Sequence, residues 1–290
     1  MSKHLPALVG SDWLATHLDD NNLIVLDATV LSIPRSGGGV EWISGRASFN
    51  NEHISGALFA DVLEDFSAPR SNPGDLVFTL PDADRFQAAA RRLGIGPQSS
   101  VIVYDTTTLA FAARLWWLFR YFGHDQIAVL DGGLQAWVAA GGRAEFGPEA
   151  RTETGTLHAE IRSGFFISRD EVLAVVEGTR PGTLVCALPP EDPDVDRSFR
   201  GRPGRIPGSV TIPAVELRDP DTGTLTLGSH FDGIDRDRGL VIVYCGGGIA
   251  ASLDAFTLTF LGFEDVRVYD GSLNEWVLDE NAPLTTSVEP

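Results

Sequence analysis

The chain has 290 residues, 43% hydrophobic and 21% charged, the balance of a globular protein long enough for one large domain or two of ordinary size. Its 40 Asp and Glu against 22 Lys and Arg leave a net charge of −18, so neither nucleic acid nor an anionic membrane is an expected partner, because both require clustered cations. No apolar run approaches the roughly 18 residues that span a bilayer. The start Met1-Ser2-Lys3-His4-Leu5-Pro6 lacks the apolar core of a signal peptide, and two cysteines are too few for a disulfide framework or a zinc cage. A cytoplasmic location with reduced thiols is the expectation that follows.

Along the chain, short β-branched runs alternate with helical stretches, the pattern of a parallel sheet covered by helices on both faces. A strand is expected near Leu23 to Leu26, and the turn His53-Ile54-Ser55-Gly56 follows it. A second strand near Val101 to Tyr104 leads through Asp105-Thr106-Thr107-Thr108 into a helical stretch that carries Trp116, Trp117 and Phe119 and ends at Phe122-Gly123. A third, near Ile127 to Leu130, precedes the turn Asp131-Gly132-Gly133-Leu134 with Trp137 beyond it. The polar stretch at 147–157, with Gly and Pro, reads as a linker between a domain at 1–146 and a domain at 158–290. In the second half, strands are expected near Leu184 to Ala187, Leu240 to Tyr244 and Val266 to Tyr269, and Cys186 reads as an inert core residue of the first of them.

Cys245 stands at the end of the run Leu240-Val241-Ile242-Val243-Tyr244, directly before Gly246, Gly247 and Gly248. A helix is predicted from Ile249 to about Leu261, where apolar residues recur at helical spacing and Gly262 supplies the stop. The thiol therefore leaves a strand and faces a loop of backbone N–H groups at a helix start, a setting that favours a thiolate. Further on, Arg197, Arg200, Arg202 and Arg205 fall within nine residues. Guanidinium groups bind carboxylates and sulfur oxyanions in pairs of hydrogen bonds, although Glu191, Asp192, Asp194 and Asp196 just upstream offer ion-pair partners instead. No pair of histidines has metal-ligand spacing.

The two halves repeat each other. Val101-Ile102-Val103-Tyr104-Asp105 matches Val241-Ile242-Val243-Tyr244-Cys245, Asp131-Gly132-Gly133-Leu134 matches Asp270-Gly271-Ser272-Leu273, and His53-Ile54-Ser55-Gly56 parallels Arg205-Ile206-Pro207-Gly208. Aspartate replaces the cysteine in the first copy, with Thr106-Thr107-Thr108 in place of Gly246-Gly247-Gly248, so the first domain is expected to be catalytically inactive and to close one side of a site centred on Cys245. His53 has two readings, an acid or base reaching that site or a group that satisfies turn backbone.

Over nearly its whole length the chain resembles the two-domain rhodanese family, the thiosulfate and 3-mercaptopyruvate sulfurtransferases. The stretches Arg114-Leu115-Trp116-Trp117-Leu118-Phe119-Arg120 and Leu130-Asp131-Gly132-Gly133-Leu134, the turn Ile206-Pro207-Gly208-Ser209 and the loop Tyr244-Cys245-Gly246-Gly247-Gly248-Ile249-Ala250 carry the resemblance. It implies an α/β chain of two tandem rhodanese-like domains, each a central mostly parallel sheet flanked by helices. It also implies an enzyme in which Cys245 takes a sulfane sulfur from a small anionic donor as a persulfide and passes it to cyanide or a thiol, without metal or organic cofactor. Gly246, Gly247, Gly248, Ile249 and Ala250 would form the active-site loop, and Arg197, Arg200 or Arg202, with His53, would bind the donor.

The chain departs from the family in ways that leave the donor open. Thiosulfate enzymes carry cations in the loop, where this chain has Gly246 and Gly247. Many mercaptopyruvate enzymes carry serine two positions after the cysteine, which here is Gly247. The aspartate that usually closes the first strand of the second domain is expected to be replaced by Ala187, while Asp27 retains it in the first. Two rival readings are a rhodanese-like cysteine phosphatase, which needs an arginine where Ala251 stands, and a non-enzymatic binding or redox-sensing module.

Overall fold

A computed structural model describes residues 5–36, 39–72, 74–150, 153–190, 202–236 and 239–286. The chain divides into two compact units, and each borrows a segment from the other half of the sequence. Unit one is Met1–Pro69, Leu80–Arg162 and Arg218–Leu225; unit two is Arg70–Thr79, Ser163–Leu217 and Thr226–Pro290.

In unit one the strands are β1 (Leu8–Val9), β2 (Leu23–Asp27), β3 (Val30–Pro34), β4 (Val40–Ser44), β5 (His53–Ile54), β6 (Leu58–Phe59), β7 (Ser100–Tyr104), β8 (Ile127–Leu130) and β9 (Ala144–Glu145). Five of them form the central sheet in the order β1-β8-β7-β2-β6, every neighbour parallel. The pairs β3–β4 and β5–β9 are small antiparallel ribbons. A parallel strand is covered on both faces, which is why Val101, Ile102, Val103 and Tyr104 form an unbroken apolar run and are all fully buried. The following helix, Ala110–Tyr121, is buried at every residue from Ala110 to Phe119, and Arg114 is the one charged side chain in that stretch.

Unit two repeats the plan with β10 (Phe166–Ile167), β11 (Thr183–Cys186), β12 (Ser209–Thr211), β13 (Val241–Tyr244) and β14 (Val266–Tyr269), again all parallel, in the order β10-β14-β13-β11-β12. The helix Arg169–Val176 begins with a capping box, in which Ser168 Oγ accepts the Glu171 N–H and the Glu171 carboxylate reaches back to the Ser168 N–H. The helix after β13 runs Ile249–Phe260. Its one charge, Asp254, is fully buried, and neither carboxyl oxygen has a hydrogen-bond partner. Burial pushes this carboxyl well above the ordinary range, so it is held neutral.

The repeat extends to single hydrogen bonds. Tyr104 OH accepts the Ile54 N–H at 3.2 Å, and Tyr244 OH accepts the Ile206 N–H at 3.1 Å. Trp137 Nε1 donates to Arg143 O at 2.8 Å, and Trp276 Nε1 donates to Pro283 O at 2.9 Å.

All six expected strands are present. What the sequence pattern missed are the two-residue strands β1, β5, β6, β9 and β10, the three-residue β12, and the β3–β4 ribbon. The unit boundary also falls later than the expected linker at 147–157. Gly155 N, Leu157 N, Glu160 N and Arg162 N donate to the carbonyls of Arg91, Ile95, Phe122 and Tyr121 at 2.8 to 3.0 Å. These bonds tie the second part of the polar stretch to unit one, whose Leu80–Arg162 segment reaches past it.

Candidate active site

Cys245 follows the last residue of β13, at the carboxyl end of the unit-two sheet, where open parallel sheets place their ligands. It is buried, with 2% of its surface exposed. Gly248 takes the left-handed conformation at φ +82°, which turns the loop so that its N–H donates to Cys245 Sγ at 3.1 Å. Ser252 Oγ donates to the Gly248 carbonyl at 2.7 Å and fixes that turn from within the helix.

A second loop holds the first. After β14, Ser272 adopts φ +50°, and its hydroxyl accepts the Cys245 N–H at 3.1 Å while donating to Tyr269 O at 2.8 Å. Leu273 N donates to Cys245 O at 3.0 Å, and Asn274 N donates to Gly246 O at 2.9 Å. A non-glycine residue at positive φ is costly and persists only where surrounding bonds fix it. No local pattern in the sequence marks Ser272 or Asn274, and the matching Asp131-Gly132-Gly133 and Asp270-Gly271-Ser272 turns are the available signal.

The first copy shows what this loop geometry does to an anion. Asp105 is 3% exposed, and its Oδ1 accepts the N–H groups of Thr107, Thr108 and Leu109 at 2.8, 2.8 and 3.1 Å and the Thr107 hydroxyl at 3.0 Å. Its Oδ2 accepts Ala112 N–H at 3.0 Å. The cradle in unit one is therefore filled by the chain's own carboxylate.

The position-by-position alignment of Thr106-Thr107-Thr108 with the three glycines needs correction. The helix starts five residues after Asp105 but four after Cys245, so the first loop is one residue longer. Leu109, at φ +63°, takes the place of Gly248, and the N–H of each donates to the side chain at the head of its loop.

A second alignment also changes. β2 pairs with β7 so that Asp27 faces Tyr104, and β11 pairs with β13 so that Cys186 faces Tyr244. Cys186, not Ala187, occupies the place of Asp27. Burial raises the Cys186 thiol pKa, with the Arg205 guanidinium, 3.4 Å from its sulfur, partly offsetting this. Cys186 is thus a core thiol.

The remaining expected residues are found as follows. Gly246, Gly247, Gly248, Ile249 and Ala250 form the loop and first turn beside Cys245. Arg197 and Arg200 lie outside the described residues. Arg202 donates to the carbonyls of Asp279 and Ala282 at 2.6 and 2.7 Å, so its guanidinium anchors the C-terminal turn. Arg205 is buried against the carbonyls of Pro189 and Pro190. His53 belongs to unit one, is 2% exposed, stacks on Phe49 at 3.9 Å between ring centroids, and bonds Phe49 O through Nδ1 at 2.8 Å. Among the described residues no cluster of His, Cys, Asp and Glu could hold a metal ion, and no helix is long and apolar enough to cross a membrane.

Known proteins share this arrangement. The profile of the family described as rhodanese-like domain matches residues 11–140 and 194–279. The chain is 32% identical over 287 residues to the 3-mercaptopyruvate sulfurtransferase of Escherichia coli K12, covering 95% of this chain and 96% of that protein. It is 31% identical over 312 residues to thiosulfate/3-mercaptopyruvate sulfurtransferase 2 of Arabidopsis thaliana, covering 97% and 86%. The crystal structure of SseA from Escherichia coli, described as a 3-mercaptopyruvate sulfotransferase with the rhodanese fold, superposes with a TM-score of 0.77 at 30% identity, covering 92% of this chain and 98% of that one. Two sheets of one plan, the paired cradles at Asp105 and Cys245, and these likenesses lead to one conclusion: the chain belongs to the rhodanese family and consists of two rhodanese-like domains.

Proposed function

We propose that the protein is a sulfurtransferase in which Cys245 takes a sulfane sulfur from 3-mercaptopyruvate or thiosulfate and delivers it, as a persulfide, to a thiophilic acceptor such as cyanide or a thiol. The observation that carries this reading is the N–H cradle. In unit one the same turn holds a carboxylate with four backbone N–H groups, and in unit two the Gly248 N–H already points at a sulfur. Donors fixed in advance at a forming anion lower the barrier because they need no reorganisation.

The chemistry needs only these groups. The Cys245 thiolate attacks the outer sulfur of the donor and forms an S–S bond. With 3-mercaptopyruvate the C–S bond breaks, its electron pair leaves as the pyruvate enolate, and a proton from solvent completes pyruvate. With thiosulfate the S–S bond breaks and sulfite leaves. The acceptor then attacks the outer sulfur of the persulfide, and the cysteine departs as thiolate. By analogy with Asp105 Oδ2 at Ala112 N–H, the outer sulfur is received by the N–H of Ala251, one turn into the helix.

Two considerations favour 3-mercaptopyruvate as the donor. The relatives in Escherichia coli and humans are named for it, and the loop presents Gly246 and Gly247 where a cation would favour doubly charged thiosulfate. Arg197 and Arg200 remain the proposed anchors for the donor's carboxylate, since Arg202 and Arg205 are engaged by backbone carbonyls. Two free thiols suit a reducing compartment, and a cytoplasmic site of action belongs to the proposal. A phosphatase is disfavoured because Ala251 is buried where a phosphate-binding arginine would be required.

Steady-state kinetics with cyanide as acceptor test the reading. The expected result is turnover of both donors, with the higher kcat/KM for 3-mercaptopyruvate. Hydrolysis of phosphate esters without sulfur transfer would overturn it.

A further inference from the structure

Gly247 stands two residues after Cys245 in the loop, and the structure shows what surrounds its missing Cβ. A Cβ built there would meet Asn274 Nδ2 at 3.2 Å and Val77 O at 3.7 Å. Asn274 is held tightly by its backbone, because Asn274 N donates to Gly246 O at 2.9 Å and the neighbouring Leu273 N donates to Cys245 O at 3.0 Å. Its carboxamide, by contrast, makes no hydrogen bond to any described residue and is only half-buried. The other wall is also fixed. Val77 lies in the Arg70–Thr79 segment that packs in unit two, next to Phe78, a buried residue at φ +64°. A bulky residue in the left-handed region marks a backbone held in place by its surroundings.

A free N–H donor on a rigid backbone, at the rim of a loop that holds the nucleophile, is in place to bind what the nucleophile attacks. We propose that the Asn274 carboxamide is a donor-recognition group of the Cys245 site, occupying the space that Gly247 leaves open and donating from Nδ2 to a carbonyl oxygen, or a carboxylate oxygen, of the sulfur donor beside its arginine anchor. This rests on the sulfurtransferase reading and deepens it. A neutral carboxamide supplies a directed hydrogen bond without a full charge. It therefore suits the carbonyl and single carboxylate of a 2-oxo acid thiol better than the compact dianion thiosulfate. Asn274 acts only while the donor is present; once the persulfide has formed and the remainder of the donor has left, it has nothing to hold.

The test uses the full-length protein with Asn274→Ala and Asn274→Leu. Donor loading is measured as kcat/KM for 3-mercaptopyruvate. Sulfur discharge is measured on persulfide formed with excess donor, desalted and mixed with cyanide. Thiol reactivity is followed with iodoacetamide, which is neutral and needs no recognition. The expected result is a loss of about tenfold or more in loading, the range for a hydrogen bond to a charged group, with discharge and alkylation unchanged in both variants. Unchanged loading in both variants overturns the proposal, as does an equal loss in all three measurements, which would assign Asn274 to holding the loop. If wild-type Cys245 forms no persulfide, the sulfurtransferase reading itself fails, so the two failures are distinguishable.

Discussion

At the scale of single residues, the comparison of Cys245 with Asp105 is the most informative one. Both sit after the tyrosine that ends the central strand, and both receive the N–H of the left-handed residue before the next helix. Asp105 makes that cradle a structural feature, with four N–H donors and one hydroxyl collected on one carboxylate. Asp105→Asn would turn an amide donor toward a backbone N–H, so it should lower stability by about 2–3 kcal/mol in denaturant titration. It should leave the proposed sulfur transfer at Cys245 intact, because the Cys245 loop belongs to the other unit. Much of this was legible in the sequence, since the apolar strand, the cysteine and the glycines stand together. The roles of Ser272 and Asn274 were not. They depend on the register between two loops about 27 residues apart, and no local periodicity encodes that.

The parallel strands and the two helices that follow the central strands could be read from their apolar runs, because an element covered on both faces is mostly apolar. The short edge strands have only two or three residues each and carry no periodicity, so they appear only once their neighbours are in place. Loop length is hidden for a related reason. Three threonines against three glycines suggested equal loops, and only the helix start at Ala110 shows the extra residue. Since Leu109 already occupies the left-handed position in the longer loop, Gly248→Ala is expected to fold. The substitution should cost about 1–2 kcal/mol in thermal or denaturant unfolding. It should still form persulfide, because the N–H at residue 248 is kept.

On the scale of the whole molecule, the chain is two units that exchange segments, with Arg70–Thr79 serving unit two and Arg218–Leu225 serving unit one. Neither exchange was legible, because both segments are irregular and carry no periodicity that marks what they pack against. The molecule also carries buried carboxyls that link its stability to pH. Asp27, at the end of β2, is raised from 3.8 to about 6, chiefly by burial, with hydrogen bonds from Thr29 opposing. A carboxyl with a raised folded pKa holds its proton more tightly folded than unfolded. Its contribution is therefore complete below about pH 3.8 and is lost as the pH rises to about 6. The difference corresponds to about 3 kcal/mol. Asp27→Asn should raise stability at pH 7 to 8 by an amount of that order and change little near pH 4, measured by denaturant unfolding at both pH values.

The central claim is that Cys245 alone carries sulfur through the reaction, and intact-protein mass spectrometry tests it directly. Wild type and Cys245→Ser are each incubated with 3-mercaptopyruvate, desalted and measured before and after addition of cyanide. The wild-type protein should gain the mass of one sulfur atom and lose it to cyanide, while Cys245→Ser should gain none. A cyanide-labile sulfur on the Cys245→Ser variant, or none on the wild type, would contradict the account.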